Sequence, residues 1–285
     1  MFESSCYIIG AQKAGTTFLA SLLDQSPDIC VSDDKEPQFF TLHYDRGFDW
    51  YRSLYSAPEK VLVEASTTYS VIRPKETHPS YRGQHVGLSP EAISLMKKAS
   101  PRARIIYLLR HPVDRSYSAI LHRQRFSEVR HSIIDEYKAD PMIMLGSSYS
   151  SQIERYLDEF PEQRILYISS QDLFTDHLSC VNRCLEFLGI AKLAELEVRE
   201  ASKHEGYIAN AFYQKINDLK PIPQLRNALR EYSSKSSVLN GLRTGLKQRF
   251  TTPAPKITEA ERAFLLDEFR DEIVRIKTMT GIDFS

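Results

Sequence analysis

The chain has 285 residues, enough to bury a sizeable core, and an α/β arrangement of that length is expected to form one domain over residues 1–285. Lys and Arg together number 37, as do Asp and Glu, so a formal net charge of zero excludes a global electrostatic case for nucleic acid or a membrane surface. Cys6, Cys30, Cys180 and Cys184 hold no CxxC pair and read as buried thiols rather than disulfides or a zinc site; no apolar run is long enough to span a bilayer, and the start at Met1-Phe2-Glu3-Ser4-Ser5 lacks the features of a signal peptide, so a cytoplasmic protein is expected.

Tyr7-Ile8-Ile9 is a short apolar run closed by Gly10, the pattern of an inner strand of a parallel sheet, and Leu19, Leu22 and Leu23 then switch to helical spacing. Between them, Gly10 and Gly15 let the backbone bend closely around a ligand. Lys13, Ala14, Gly15, Thr16 and Thr17 fall where the start of a helix offers unpaired N–H groups, and Lys13 adds a positive charge, so the turn is suited to a phosphate. A nucleoside triphosphatase loop would read GxxxxGK[ST]; here the lysine precedes the second glycine by two positions and Gly15 is followed by Thr16. An ordinary strand-to-helix turn is the alternative.

Ile29 to Val31 forms a short second strand that leads to Lys35-Glu36-Pro37-Gln38-Phe39-Phe40. Taken alone, this hexapeptide reads as a solvent-facing charge pair ahead of a packed aromatic anchor, although Pro37 and the two phenylalanines also suit a partly desolvated, more basic Glu36. Val61 to Glu64 is the next inner strand, followed by the hydroxylated Ala65-Ser66-Thr67-Thr68-Tyr69. Ligands gather at the carboxyl ends of strands, so Glu64, Ser66 and Thr67 are expected to face the cleft. Residues 73–89 form a polar excursion with His78, Tyr81 and His85, of the kind that shapes acceptor specificity.

Ser89-Pro90 starts a crossover helix that Ser100-Pro101 closes. Arg104 to Arg110 is a strand that ends on a charge, and His111-Pro112 turns into a helix bearing Tyr117, Ser118 and Leu121. Arg110 and Ser118 are suited to one further phosphate, whereas a magnesium-binding NTPase would end this strand in aspartate. An ion pair between Arg110 and Asp114 is the local alternative.

Tyr149, Ile153, Tyr156, Leu157 and Phe160 form a helical core stripe, and Arg164 to Ser169 is another strand. Leu178, Val181, Leu185 and Leu188 make a helix closed by Gly189. The alternation predicts a three-layer α/β fold with a central, mainly parallel sheet flanked by helices. Lys203-His204-Glu205-Gly206-Tyr207 has the chemistry of a loop that closes over a nucleotide. Leu239, Leu242, Leu246 and Phe250 define an amphipathic helix. Thr258 and Glu261 form a capping box for a last helix, with a stripe at Leu265, Phe269, Ile273 and Ile276, expected to pack on the sheet.

Together these segments resemble the sulfotransferases that use 3'-phosphoadenosine 5'-phosphosulfate (PAPS), especially the bacterial and heparan-sulfate-like branch, over most of the chain. Gly10 to Leu19 is similar to that family's 5'-phosphosulfate loop, and Leu108 to Ser118 to its 3'-phosphate motif. Lys35 to Phe40 is similar to the KEPxFF segment that carries the branch's acidic catalytic residue, and Ser202 to Tyr207 to the late loop over the cofactor. The chain departs from the pattern at Ala65, where many relatives have a lysine, and at Ser170, where other branches often carry a tyrosine.

The resemblance implies a P-loop-containing fold and transfer of a sulfuryl group from PAPS to a hydroxyl or amine of a glycan or a small natural product, leaving adenosine 3',5'-bisphosphate, with no metal. It implies catalytic roles for Lys13 and Glu36, and cofactor contacts from Lys13, Ala14, Gly15, Thr16, Thr17, Arg110, Ser118, Lys203 and Tyr207. Glu64, Thr67, His78 and His85 are the acceptor-side candidates, and the two histidines are rivals to Glu36 as base. A P-loop nucleotide kinase and a noncatalytic bisphosphate-binding module are the alternative functions.

Overall fold

The computed structural model describes residues 5–71, 92–124, 131–198, 207–209, 251–253 and 256–284. Its centre is a parallel sheet of β1 (Ser5–Gly10), β2 (Ile29–Val31), β3 (Val61–Ala65), β4 (Arg104–Leu109) and β5 (Ile165–Ser169), in the order β2-β3-β1-β4-β5. The inner strands are continuous apolar runs because helices cover both faces of the sheet, and Tyr7, Ile8, Ile9, Val63, Ile105, Ile106, Leu108 and Leu109 are fully buried. The chain leaves β1 toward β2 on one side and leaves β4 toward β5 on the other. The crevice between the carboxyl ends of β1 and β4 is therefore a topological switch point, where open α/β sheets hold their ligands.

The helices that follow the strands are α1 (Thr16–Leu23), α2 (Phe39–Leu42), α3 (Gly47–Arg52), α4 (Ala92–Ala99) and α5 (Pro112–Gln124). They continue with α6 (Ile133–Ala139), α7 (Pro141–Leu145), α8 (Tyr149–Glu159), α9 (Ser170–Thr175) and α10 (His177–Leu188). Local chemistry sets their ends. Pro112 opens α5, with His111 Nδ1 accepting from Val113 N–H at 3.2 Å; Ser169 caps α9, Asp176 caps α10, and Gly189 ends α10 in the left-handed region at φ 73°. Tyr207–Ala209 (β6) and Thr251–Pro253 (β7) form a separate antiparallel pair.

Two expectations are corrected. The last helical stripe is broken at Phe269 into α11 (Glu259–Glu268) and α12 (Arg270–Thr280), with the predicted capping box of Thr258 and Glu261 at the start. Leu265 and Phe269 do not pack on the sheet; they join Val113, Ile120, Ile133 and Tyr137 in a second core between α5, α6 and α11, and in this stripe Ile276 belongs to the main core. Leu157 leaves the α8 stripe and is 38% exposed, while Tyr149, Ile153, Tyr156 and Phe160 are buried. The four cysteines are free and buried. The predicted amphipathic helix at Leu239 to Phe250 lies outside the described residues.

Candidate active site

The turn after β1 is shaped by what holds its carbonyls. Arg115 Nε donates to Gln12 O at 3.2 Å, Arg110 Nη1 to Lys13 O at 2.9 Å, and Ser170 Oγ to Ala14 O at 2.7 Å. In a trans peptide the N–H points opposite to the C=O, so these bonds turn the N–H groups of Lys13 and Gly15 to the other side of the turn. The Ala14 N–H closes a turn on Ala11 O at 3.0 Å. Gly15 stands at φ 106° as the N-terminal cap of α1, and a Cβ there would lie 3.0 Å from the Phe174 ring. The leading N–H groups of α1, at Thr16 and Thr17, precede the first intrahelical donor, Leu19 N–H, which bonds Gly15 O at 3.0 Å. Lys13 itself takes a left-handed φ of 74°, and Gly10 passes so close to Ser70 that a side chain would collide with its hydroxyl.

Arg110 leaves the carboxyl end of β4. One of its five donors braces Lys13 O, and its own carbonyl accepts from Tyr149 O–H at 2.9 Å. Asp114 does not pair with Arg110, as local reading allowed; it pairs with Arg262 of α11 at 2.9 Å, so the guanidinium keeps donors for an anion. Ser118 lies half-buried on the second turn of α5. His111 is held below the usual histidine range by burial, with Arg262 and Arg110 acting in the same direction against Asp114.

Sequence reasoning missed two parts of this arrangement. Arg115 is 2% exposed; beyond Gln12 it donates to Ile143 O at 2.9 Å, and Gly146 leaves the space its guanidinium occupies. Its only signal in the sequence is its place in the segment Arg110 to Ser118. Ser170 drew notice as a departure from a familial tyrosine, and its contact with Ala14 is legible only in three dimensions.

The acidic segment is held beside the end of β3, where Ser66 Oγ accepts from Gln38 N–H at 2.9 Å. Glu36 is half-buried, with Gln38 Nε2 donating to its Oε2 at 3.2 Å and Thr67 Oγ1 within 3.4 Å of that oxygen. Phe39 and Phe40 are buried; Phe39 stacks on Tyr51 at 4.3 Å and Phe40 meets Tyr7 edge-on at 5.6 Å. The hexapeptide is therefore anchored by its aromatics, while Lys35 is exposed and Glu36 remains half-buried.

Glu64 does not face the cleft, which corrects the expectation drawn from its place at a strand end. It is 1% exposed, its Oε1 accepts from Ser66 Oγ at 2.5 Å and Tyr69 O–H at 2.7 Å, and its Oε2 accepts from Tyr51 O–H. Burial raises its pKa above 4.5 although all three hydroxyls act the other way. Of the two neighbours, Ser66 is buried against Glu64 and Thr67 alone reaches Glu36.

His78, His85 and Lys203 lie outside the described residues, and of Tyr207 the structure gives the backbone pairing with Pro253. Among the described residues no group of three or more His, Cys, Asp or Glu side chains could hold a metal ion, and no helix is long and apolar enough to cross a membrane. The turn, with its carbonyls held from behind, fits one phosphate-like anion, and the Arg110 fork, next to it, fits a second.

Residues 3–209 match the family model described as the sulfotransferase domain. The human bifunctional heparan sulfate N-deacetylase/N-sulfotransferase 3 is 30% identical over 207 residues, covering 64% of this chain and 22% of that protein. The human heparan sulfate glucosamine 3-O-sulfotransferase 6 is 27% identical over 288 residues, covering 97% of this chain and 72% of that protein. The chain thus spans about a fifth of the first relative's length. A crystal structure of a sulfotransferase from Alicyclobacillus acidocaldarius shares the fold, with a TM-score of 0.63 at 20% identity over 99% of this chain and 97% of that one.

Proposed function

The chain belongs to the sulfotransferase domain family, and from that premise we propose that it moves a sulfuryl group from PAPS to a hydroxyl or amine of a glycan or a small natural product. The observation that carries this reading is the turn after β1. Arg115, Arg110 and Ser170 hold the carbonyls of Gln12, Lys13 and Ala14, and that leaves the helix-leading N–H groups to an anion.

The bound donor supplies an activated sulfuryl group on a phosphate leaving group. The chain's own residues then divide the work. The N–H groups of Gly15, Thr16 and Thr17 hold the 5'-phosphate, and Lys13 neutralises the charge that grows on the bridging oxygen as the S–O bond breaks. Arg110 and Ser118 hold the 3'-phosphate and so select this donor over ATP. Glu36 accepts the proton of the acceptor group as the new bond to sulfur forms. Lys203 and Tyr207 complete the cofactor side, and Thr67, His78 and His85 the acceptor side. A cytoplasmic location is part of the same reading, supported by four buried cysteines without a disulfide.

Calorimetric titration with adenosine 3',5'-bisphosphate tests the donor site. The reading predicts saturable binding that Arg110→Ala weakens by about 2 to 4 kcal/mol, the cost of one buried charge-assisted contact. Equal affinity in the variant, or preferential binding of magnesium ATP, overturns it.

A further inference from the structure

The buried carboxylate of Glu64 touches no part of the cleft, yet it lies behind the segment that carries Glu36. Its Oε1 takes hydrogen bonds from Ser66 Oγ and Tyr69 O–H. With their protons committed to Glu64, each of those hydroxyl oxygens presents its lone pairs outward. Ser66 Oγ accepts from the backbone N–H of Gln38 at 2.9 Å, and Tyr69 Oη accepts from the backbone N–H of Phe40 at 3.2 Å. On the other carboxylate oxygen, Tyr51 donates and in turn accepts from Tyr55 O–H at 3.2 Å.

The two anchored N–H groups belong to the short stretch that opens α2. Gln38 is its cap and takes a left-handed φ of 51°, a conformation a non-glycine residue keeps only when its surroundings dictate it. Pro37, with φ locked by its ring, is the sole residue between Gln38 and Glu36, so fixing the Gln38 amide limits where Glu36 can go. Among the described residues, the side chains that hydrogen-bond the Glu36 carboxylate are neighbours of this relay: Gln38 itself, and Thr67, which follows Ser66 directly.

We propose that Glu64, Ser66 and Tyr69 are positioning residues for the proton-accepting carboxylate. Glu64 orients the hydroxyls of Ser66 and Tyr69, these pin the amides of Gln38 and Phe40, and the pinned segment holds Glu36 in place. The proposal rests on the reading of Glu36 as base. It gives Glu64 a role that acceptor contact does not describe.

A double-mutant cycle separates the two claims. Ser66→Ala removes the hydroxyl that holds the Gln38 amide beside the Glu64 carboxylate, and loss of one such bond corresponds to about a tenfold fall in kcat. The Kd for adenosine 3',5'-bisphosphate is expected to stay the same, since no donor contact is touched. In the Glu36→Gln background, itself slowed roughly 100-fold, Ser66→Ala is expected to cost less than about twofold more, because there is no base left to misplace. Tyr69→Phe, which keeps the ring packed against Tyr7 and Phe40, repeats the cycle should Ser66→Ala fail to fold. A fall in kcat that is the same size in both backgrounds overturns the positioning role while the base reading stands. Full activity of Glu36→Gln overturns the base reading and this proposal with it.

Discussion

Ser170 Oγ donates to the carbonyl of Ala14 at 2.7 Å, joining the start of α9 to the turn after β1 across 156 residues of chain. Through that bond the first residue of α9 orients the Ala14–Gly15 peptide, whose N–H points away from the brace. Ser170→Ala is expected to lower bisphosphate affinity by about 1 kcal/mol, the ordinary worth of one hydrogen bond, with little change in thermal stability. Calorimetry that finds wild-type affinity in the variant removes Ser170 from the account.

Arg115 performs the same service at Gln12 from a fully enclosed position, and its fork spans Gln12 O and Ile143 O at once. A lysine keeps the charge but cannot bridge two acceptors in the plane of a guanidinium. Arg115→Lys is expected to cost about 1.5 to 3 kcal/mol in denaturant unfolding, the range for hydrogen bonds to a charged group, and to weaken bisphosphate binding in the folded protein. Unaltered stability would contradict the bridging role.

Much of this was legible in the chain itself. The strands at Tyr7, Val61, Arg104 and Ile165 are apolar runs because both faces of a parallel sheet are covered, and the glycine-bounded turn and the Arg110 to Ser118 segment carry their chemistry locally. What stayed hidden depends on distant partners. A charged residue on a helix reads as solvated, and Arg115 is buried only because carbonyls from two other segments converge on it. Glu64 ends a strand, where acids usually face ligand, and three hydroxyls from Tyr51, Ser66 and Tyr69 draw it inward instead. Phe269 fits a helical stripe by spacing, but its backbone leaves the helical region at φ −103°, ψ 11° between α11 and α12, and its ring packs edge-on against Tyr137 at 5.8 Å.

Lys13 is expected to act on the transition state more than on donor binding. Lys13→Ala should reduce kcat by about two to three orders of magnitude, comparable to the loss of a group aimed at developing charge, with a smaller change in bisphosphate affinity. Wild-type turnover at saturating donor and acceptor rules that role out.

The buried Glu64 also sets a pH dependence. Its folded-state pKa lies above 4.5, chiefly through burial, so the folded protein binds this proton more tightly than the unfolded chain. The stability it contributes is fully present below about pH 4.5 and is lost as pH rises through the folded value. Glu64→Gln retains an acceptor toward Ser66 and Tyr69 and does not titrate. The stability of wild type relative to Glu64→Gln is therefore expected to decline as pH rises from about 4.5. A difference that is flat or grows with pH, in urea titrations at stepped pH, contradicts a raised pKa at Glu64.

Which group the chain transfers is read from its products. The most direct measurement is high-resolution mass spectrometry of products after incubation of the chain with PAPS, and separately with magnesium ATP, against a panel of glycosaminoglycan oligosaccharides and phenolic or amino natural products. Sulfate and phosphate adducts are separated by their exact masses. A sulfated acceptor is expected with PAPS alone, formed roughly 100-fold more slowly by Glu36→Gln. A phosphorylated acceptor with ATP, or tight bisphosphate binding with no transfer to any acceptor in the panel, would contradict sulfuryl transfer.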